Sequence, residues 1–133
     1  MLKISRGLLL DMIDHSLADY PLEACGLLGG SQHHANKVYR ARNDAASARL
    51  YTLNPLDFLR ADRDAQSGDG EIIGVYHSHT HSEAFPSQTD LAQAPDPAWH
   101  YVLVSLKRKY PVVRSFRIAE GKIVEEDVVE LKV

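Results

Sequence analysis

The sequence predicts a single-domain α/β sandwich in which a mixed sheet is flanked by helices. Segments with helical periodicity alternate with apolar, strand-like segments along the chain, as expected for helices packed on a sheet. The chain has 133 residues, of which 44% are hydrophobic, so it can bury one ordinary core. Because no internal repeat, low-complexity tract or linker divides the sequence, residues 1–133 are expected to form one domain.

Three strands and two helices are predicted in the first half of the chain. In order, they are a short strand before Ser5, a helix from there to about Ala18, strands at 23–30 and 36–42, and a helix that begins at Asn54. Ser5 and Asn54 are expected to cap their helices through a side-chain oxygen, and Pro55 suits the first helical position because its missing N–H would have no partner there. Pro21 ends the first helix. The connection before the second helix includes a brief extended piece at 49–53.

The second half is predicted to contain four strands and one short helix. In order, they are a strand at 72–76, a helix from 86 to 94, and strands at 99–105, 112–118 and 123–131. The turn-rich segment 67–70 separates the strand at 72–76 from the preceding helix, and Pro95 and Pro97 end the short helix. The strand at 72–76 is apolar and leads directly into a histidine-rich segment. Chemistry is therefore expected where this strand ends.

Composition excludes several classes of function. The net charge is −3 and both signs are interspersed, so no basic surface is predicted for nucleic acid. No apolar run approaches the roughly 18 to 20 residues that cross a bilayer, and the amino terminus does not resemble a signal segment. The one cysteine excludes an intramolecular disulfide and a cysteine-rich metal site. A cytoplasmic protein with no membrane or nucleic-acid partner is expected.

Histidines supply the strongest chemical signal. The chain has seven, and four of them lie between His77 and His100. His77 and His79 are two residues apart, so on a strand their side chains project to the same face and can share one ion, whereas Ser78 points away. Asp90, on the first turn of the next helix, can add an oxygen ligand. Three such ligands leave a fourth position for water, which is typical of a catalytic zinc site with one ion per chain.

Two further residues complete a hydrolytic site. Zinc lowers the pKa of a bound water from 15.7 to about 7, but the water still needs a proton acceptor. Glu23 is the best candidate, because it begins another short strand beside small residues that allow close packing, although spacing alone does not place it near the water. Ser87 lies three residues before Asp90, one helical turn away, so its hydroxyl is a candidate stabiliser of the oxyanion.

Each of these residues also has a simpler interpretation. Ser87 can be only a helix cap, Asp90 a solvated carboxylate favoured by the helix dipole, and Glu23 a surface charge. Cys25 is interpreted as a buried, inert thiol, since nothing near it indicates a lowered pKa. His81 is interpreted as a solvent-facing loop residue, with a contact to the metal site as the alternative. The remaining histidines are expected to be peripheral or to serve packing: His15, His33, His34 and His100.

The combined pattern resembles a known signature. His77-x-His79, followed after seven residues by Ser87 and after two more by Asp90, with Glu23 upstream, is similar to the motif of the JAMM (MPN+, Mov34/PAD-1-like) metallopeptidases. The likeness to the short prokaryotic branch covers nearly the whole chain. It is carried by Glu23–Gly26, Asn43, Tyr51, Tyr76–Thr80 and Tyr101–Ser105.

The resemblance implies a fold and a role for each motif residue. The fold would be the cytidine-deaminase-like JAMM/MPN domain, whose mixed, curved sheet is largely antiparallel. The zinc ligands would be His77, His79 and Asp90. Glu23 would act as general base and then acid, and Ser87 would stabilise the oxyanion. His81 departs from the family pattern, which puts in doubt only the detail of the site's mouth.

The resemblance also implies a substrate, a ubiquitin-like sulfur-carrier protein with a flexible diglycine tail. Hydrolysis after that tail would release cysteine, in cysteine biosynthesis or sulfur transfer. The tail could add to an exposed sheet edge, for which the 44–53 region is the candidate. Two alternatives remain open, a deubiquitinase-like isopeptidase acting on lysine conjugates and a non-catalytic MPN scaffold. A zinc deaminase is excluded because its pattern requires a Pro-Cys-x-x-Cys element, and this chain has one cysteine. The oligomeric state is left open.

Overall fold

The computed structural model describes residues 1–132, which form three helices and eight strands. In chain order these are β1 Leu2–Ser5, α1 Arg6–Asp19, β2 Cys25–Ser31, β3 His34–Ala41, α2 Pro55–Ser67, β4 Glu71–His79, α3 Gln88–Ala92, β5 His100–Ser105, β6 Val112–Ala119, β7 Lys122–Glu126 and β8 Val128–Leu131. No helix within residues 1–132 has the length and apolarity needed to cross a membrane.

The strands form one mixed sheet in the order β7-β6-β5-β4-β2-β3-β1-β8. The four antiparallel pairings are β2 with β3, β2 with β4, β5 with β6 and β6 with β7, and the three parallel ones are β1 with β3, β1 with β8 and β4 with β5. The edge strands β7 and β8 are separated in sequence by Asp127 alone, whose carbonyl accepts a hydrogen bond of 2.9 Å from the Leu2 amide. The sheet is therefore nearly closed on itself, and the predicted curved, largely antiparallel architecture is confirmed.

A separate apolar cluster covers each face of the sheet. On one face, Ala61 and Ala65 of α2 pack with Leu27, Val75 and Leu103 of the central strands. On the other face, α1 packs through Met12 onto residues that alternate with these, including Leu28, Tyr76 and Val102. Because successive residues of a strand face opposite sides, the register of β4 fixes which side chains share the α2 face. His77 follows Tyr76 and lies on the α2 face, opposite α1.

The residues predicted to cap α1 and α2, Ser5 and Asn54, do so in the structure. Ser5 Oγ accepts the Leu8 amide at 3.4 Å, and Asn54 Oδ1 accepts the amides of Leu56 and Asp57 at 3.0 Å each. A short polar side chain at the cap satisfies amide groups that have no partner inside the helix. Both predicted helix starts are confirmed.

Three predicted elements differ from the structure by more than two residues, each for a physical reason. β4 continues through His79, since its last residues pair with β5 up to Ser105. The single strand expected at 123–131 is two strands, because the chain changes from one sheet edge to the other at Asp127. The piece at 49–53 is not a strand and shows only a bridge between Asn43 and Leu53, because the Asn43 side chain bonds the backbone there. The 44–53 region is therefore not a regular sheet edge.

Candidate metal centre

The two motif histidines lie at the end of β4, deep in the sheet. β4 is paired on both sides, with Cys25 of β2 opposite His77 and Ser105 of β5 opposite His79. Only 6% of His77 and 4% of His79 is exposed. Their Nε2 atoms lie 3.2 Å apart, on one side of the sheet. Ser78 points the other way and accepts the Ala24 amide at 2.8 Å, as the strand periodicity predicts.

The short helix α3 brings Asp90 to these histidines. Ser87 caps the helix, since its hydroxyl oxygen accepts the Asp90 amide at 3.1 Å while its own amide donates to Asp90 Oδ2 at 2.9 Å. This reciprocal capping fixes the carboxylate. Asp90 Oδ1 lies 3.1 Å from His77 Nε2, and Oδ2 lies 2.9 Å from His79 Nε2.

These three side chains fit a metal ion. Each can direct one ligand atom into a group whose members all lie within 4.8 Å of one another, and the shortest separations are between 2.9 and 3.2 Å. Two ligands bound tetrahedrally to zinc at about 2.0–2.1 Å lie about 3.3 Å apart. The two Nε2 atoms are separated by nearly that distance, and each contacts a different oxygen of Asp90 at a similar distance. Two imidazole nitrogens and one carboxylate are also a donor set that zinc accepts.

The histidine rings are held in orientation by residues outside the motif. His79 Nδ1 lies 2.8 Å from the Glu83 carbonyl oxygen; because a carbonyl only accepts, Nδ1 carries the proton and a neutral ring presents its Nε2 lone pair to the site. His77 stacks on Tyr51 with ring centroids 4.3 Å apart and planes inclined by 26°. With these contacts in place, both Nε2 atoms point toward Asp90.

The charges of the group follow from burial and from its internal contacts. Burial lowers the pKa of His77. Burial also acts to lower the pKa of His79, but the contacts with Asp90 and the Glu83 carbonyl outweigh it and raise that pKa. Asp90 is buried too, yet the two histidines hold its pKa well below the usual range. The carboxylate is therefore ionised at neutral pH, as a metal ligand must be.

Glu23 lies beside this group with a free carboxylate oxygen. Only 3% of the residue is exposed, and Oε1 is buried without a hydrogen-bond partner among the described residues. Burial first, and then the Asp90 charge, raise the pKa of Glu23 to about 7, against an opposing effect of His79. A carboxyl group with a pKa near neutrality can both accept and release a proton at physiological pH.

The Glu23 backbone is fixed by three hydrogen bonds. Its amide donates to the Ser47 carbonyl at 2.8 Å, and its carbonyl accepts from Asn43 Nδ2 at 3.0 Å. The next amide, that of Ala24, is bound by Ser78 of β4. The segment before β2 is thereby held against both β4 and the 44–53 loop, although Glu23 is distant in sequence from both.

Three of the predicted site residues line one cavity. It has a volume of about 520 Å³ and is lined by Glu23, His79 and Ser87 together with Ala48, Arg49, His81 and Ser82. The predicted cap role of Ser87 is confirmed, and because its oxygen only accepts in that cap, its O–H stays free to donate. An oxyanion role for Ser87 remains a prediction. The cavity thus combines a proton acceptor, a hydroxyl donor and one of the converging histidines.

Sequence reasoning missed the residues that orient the motif. Asn43 bonds Glu23 and the 44–53 loop, Tyr51 stacks on His77, and the Glu83 carbonyl holds His79. Asn43 and Tyr51 entered only through the family resemblance. An asparagine that follows a strand in a loop is a signal for side-chain bonding of backbone groups, whereas the Glu83 carbonyl has no side-chain signal at all.

Three histidines expected at the periphery or in packing make defined polar contacts. His15 is buried, and its Nδ1 lies 2.7 Å from the Tyr76 hydroxyl. His100 is fully buried, between Glu126 at 2.6 Å and His33 at 2.8 Å. The expectation was wrong for His15 and incomplete for His100, because these partners are far away in sequence. Cys25 is buried, and burial raises its pKa to about 12, which agrees with an inert thiol.

Comparison with known proteins gives consistent matches over most of the chain. Residues 5–119 match the family of prokaryotic homologs of the JAB domain. The CysO-cysteine peptidase of Mycobacterium tuberculosis (strain ATCC 25618 / H37Rv) is 36% identical over 131 residues, covering 96% of this chain and 90% of that protein. The desampylase of Pyrococcus furiosus is 30% identical over 108 residues, covering 79% of this chain and 77% of that protein.

Solved structures resemble the fold along its full length. The solution structure of protein DSY2949 from Desulfitobacterium hafniense has a TM-score of 0.92 and 30% identity, covering 100% of this chain and 94% of that one. A JAMM structure described as a metalloprotease-like zinc site in the proteasome and signalosome has a TM-score of 0.61 and 22% identity, covering 98% and 99% of the two chains. At that identity the second likeness concerns the fold alone.

Proposed function

Because the chain belongs to the prokaryotic homologs of the JAB domain and is a JAMM hydrolase, we propose that it is a zinc metallopeptidase. Its substrate would be a ubiquitin-like sulfur-carrier protein, cleaved at the amide bond after the diglycine end to release cysteine. This function is supported above all by the cavity that Glu23, His79 and Ser87 line, next to the converging His77, His79 and Asp90, and by the buried, unpartnered oxygen of Glu23. We also propose that residues 1–133 form one JAMM domain.

The proposed ligands are His77, His79 and Asp90, with one zinc ion per chain and a fourth position for water. When bound there, zinc would act as a Lewis acid and lower the pKa of that water from 15.7 to about 7. The support is the donor set, the separations of about 3 Å and the ring orientations described above. An ionised Asp90 partly offsets the charge of the ion and strengthens the site.

Glu23 is proposed as the group that moves the proton. Its carboxylate accepts a proton from the attacking water as the oxygen–carbon bond forms at the glycine carbonyl, and returns that proton to the nitrogen as the carbon–nitrogen bond breaks. One water is consumed, and the products are a carrier ending in a glycine carboxylate and a free amine. A pKa of about 7 for Glu23 suits both directions of transfer.

Ser87 is proposed to stabilise the charge that develops on the carbonyl oxygen. Its hydroxyl lines the cavity with Glu23 and His79, and the capping bond from the Asp90 amide occupies only an acceptor position of the oxygen. The free O–H can therefore donate to an oxyanion, an interaction worth about 10²–10³ in kcat when one such donor is removed.

The substrate assignment is supported by the names of the relatives. One is a CysO-cysteine peptidase, of which the alignment covers 90%, and the other is a desampylase. A diglycine end has no side chains and can follow a narrow cavity to the catalytic residues. From the higher identity and coverage of the first relative we favour a carrier–cysteine bond. The desampylase match supports a second candidate, an isopeptidase acting on lysine conjugates.

The two enzymatic candidates and the non-catalytic scaffold are separated by one set of measurements. Protein purified without chelator is expected to contain about one zinc per chain and to hydrolyse a carrier–cysteine adduct faster than a carrier–lysine conjugate. Chelation should abolish hydrolysis and added zinc should restore it. A protein without zinc would support the scaffold, faster cleavage of the lysine conjugate would support the isopeptidase, and hydrolysis unaffected by chelation would disprove the metal mechanism.

A further inference from the structure

Arg49 presents an unpaired positive charge at the catalytic cavity. Its side chain is exposed and lines the cavity with Glu23, His79 and Ser87. Within residues 1–132 its guanidinium forms neither an ion pair nor a hydrogen bond. Arg42, seven residues earlier, is instead held by Asp57 at 3.0 Å. A guanidinium beside a reactive centre and without a protein partner is available to an anionic ligand.

The backbone around Arg49 is fixed to the catalytic elements. The Ser47 carbonyl accepts the Glu23 amide at 2.8 Å, the Ala48 carbonyl accepts the Thr80 hydroxyl at 3.0 Å, and the Leu50 carbonyl accepts from Asn43 Nδ2 at 3.1 Å. Thr80 directly follows His79. The carbonyl before Arg49 is thus bound to the residue after His79, and the carbonyl after Arg49 is bound to Asn43, which also binds Glu23. Although Arg49 lies in a loop, its backbone is therefore held close to the proposed catalytic residues.

The two cavities next to the metal centre differ in charge. A cavity of about 380 Å³ lies on the Tyr51 side and is lined by apolar and uncharged side chains that include Leu53, Phe58 and Trp99. Among the described residues, Glu23 is the one carboxylate that lines the cavity containing Arg49, and the neighbouring Asp90 carboxylate is paired with His77 and His79. An anion is therefore favoured in the second cavity and not in the first.

We propose that Arg49 binds the free α-carboxylate of the residue that leaves, and so selects carriers extended by one amino acid over amides and lysine isopeptides. This specificity rests on the proposed function and adds a residue to it. In a carrier–cysteine adduct the released residue ends in a carboxylate, whereas a lysine isopeptide leaves a side-chain nitrogen with no carboxylate beside it. A planar guanidinium can donate two parallel hydrogen bonds to such a group.

The test compares two synthetic peptides that differ in one charge. Both end in Gly-Gly-Cys, one with a free carboxylate and one as the C-terminal amide, and kcat/KM is measured with the zinc-loaded protein. Hydrogen bonds to charged groups support a preference of about tenfold at an exposed site. Arg49→Gln is expected to lower the acid-to-amide ratio about tenfold, and Arg49→Lys, which keeps the charge but loses the paired donors, should recover part of it. The matched control is Arg63→Gln. Arg63 is also an exposed arginine but lies on α2, outside the cavity, so this change should leave the acid-to-amide ratio unchanged.

Binding of the same peptides to zinc-loaded Glu23→Gln, with and without Arg49→Gln, gives a readout independent of turnover. The proposal is supported if Glu23→Gln binds the peptide with the free carboxylate more tightly than the amide, and if the double variant that also carries Arg49→Gln binds both peptides equally. Equal kcat/KM for acid and amide in the unchanged protein, or an unchanged ratio in Arg49→Gln, overturns the role of Arg49 while the peptidase function stands. Absence of hydrolysis in the zinc-loaded protein overturns the peptidase function instead, and the binding measurements then decide Arg49 by themselves.

Discussion

Two buried histidine–carboxylate groups lie in this sheet, and only one of them is arranged for a metal. In the metal-centre group, His77 and His79 direct their Nε2 atoms at one carboxylate and at each other. In the second group, His100 uses both ring nitrogens, Nδ1 toward Glu126 at 2.6 Å and Nε2 toward His33 at 2.8 Å. Burial and a nearby carboxylate are common to both groups. The two groups differ in the direction of their ring nitrogens. In the first group the Nε2 atoms of two histidines converge on one point, whereas in the second group both ring nitrogens of His100 are already bound to separate partners.

The carboxylates differ in the same way. Glu126 Oε2 accepts from Ser115 at 2.7 Å; Oε1 makes no hydrogen bond among the described residues but lies 3.0 Å from the charged amino-terminal nitrogen of Met1. Glu23 Oε1 has no partner among the described residues. Although burial acts to raise the pKa of Glu126, His100 and Ser115 outweigh it and lower that pKa to about 2, whereas burial raises the pKa of Glu23 to about 7. A carboxylate held in ion pairs has a lowered pKa and stabilises the fold, whereas one without an ion pair and with a pKa near neutrality can take part in proton transfer.

The largest expected effect separates the two histidine groups. His77→Ala removes one proposed ligand, so zinc content should fall well below one per chain and hydrolysis should be lost. His100→Ala should retain zinc, because no proposed ligand is touched. Metal analysis and hydrolysis of the carrier–cysteine adduct measure both variants. Retention of full zinc and activity in His77→Ala would contradict the ligand assignment.

The next effect separates binding of the metal from proton transfer. Glu23→Gln keeps the shape of the side chain but cannot accept the proton, so kcat should fall by about 10²–10⁴ while zinc content stays near one per chain. Steady-state kinetics and metal analysis on one preparation test this. Full activity of Glu23→Gln would exclude Glu23 as the base.

A smaller effect tests the structural role of the second group. His100→Ala leaves Glu126 buried with fewer partners, which is expected to cost about 3–5 kcal/mol of unfolding free energy at neutral pH. Denaturant unfolding measures the loss. The native contribution of Glu126 should itself be present above its unfolded pKa of 4.5 and be lost as pH falls toward its folded value of about 2, because the folded-state pKa is the lower one. A change below about 1 kcal/mol in His100→Ala would show that the pair contributes little.

The smallest effect concerns the metal-free protein and has the opposite pH dependence. The folded-state pKa of Glu23, about 7, lies above its ordinary value of 4.5, so the contribution of Glu23 to stability is fully present below pH 4.5 and is lost as pH rises through 7. Glu23→Gln removes this titration and should make the metal-free protein more stable than the unchanged chain at pH 8, by up to about 3 kcal/mol. Unfolding of chelated protein should show no such difference near pH 4.5. An equal gain at both pH values would mean that titration of Glu23 is not its cause.

Much of the fold and the metal centre was predictable because the signals are local. The His77-x-His79 spacing on a strand places both rings on one face, and the Ser87–Asp90 spacing sets a helix cap that fixes the carboxylate. The starts of α1 and α2 follow from Ser5 and Asn54 in the same way. Each signal depends on residues within about four positions of one another, a range over which backbone geometry alone determines the contact.

Tertiary structure decided what connects distant segments. The chain changes from one sheet edge to the other at Asp127, Glu126 thereby meets His100, and Asn43 ties Glu23 to the loop that carries Arg49. These contacts depend on strand order and register, and a shift of one residue along a strand would turn every side chain to the other face. The sequence by itself therefore determined which residues are proposed to bind a metal and move a proton. Only the nearly closed sheet decided that Glu23 lies beside the proposed ligands without an ion pair, while Glu126 of the second group is paired with His100.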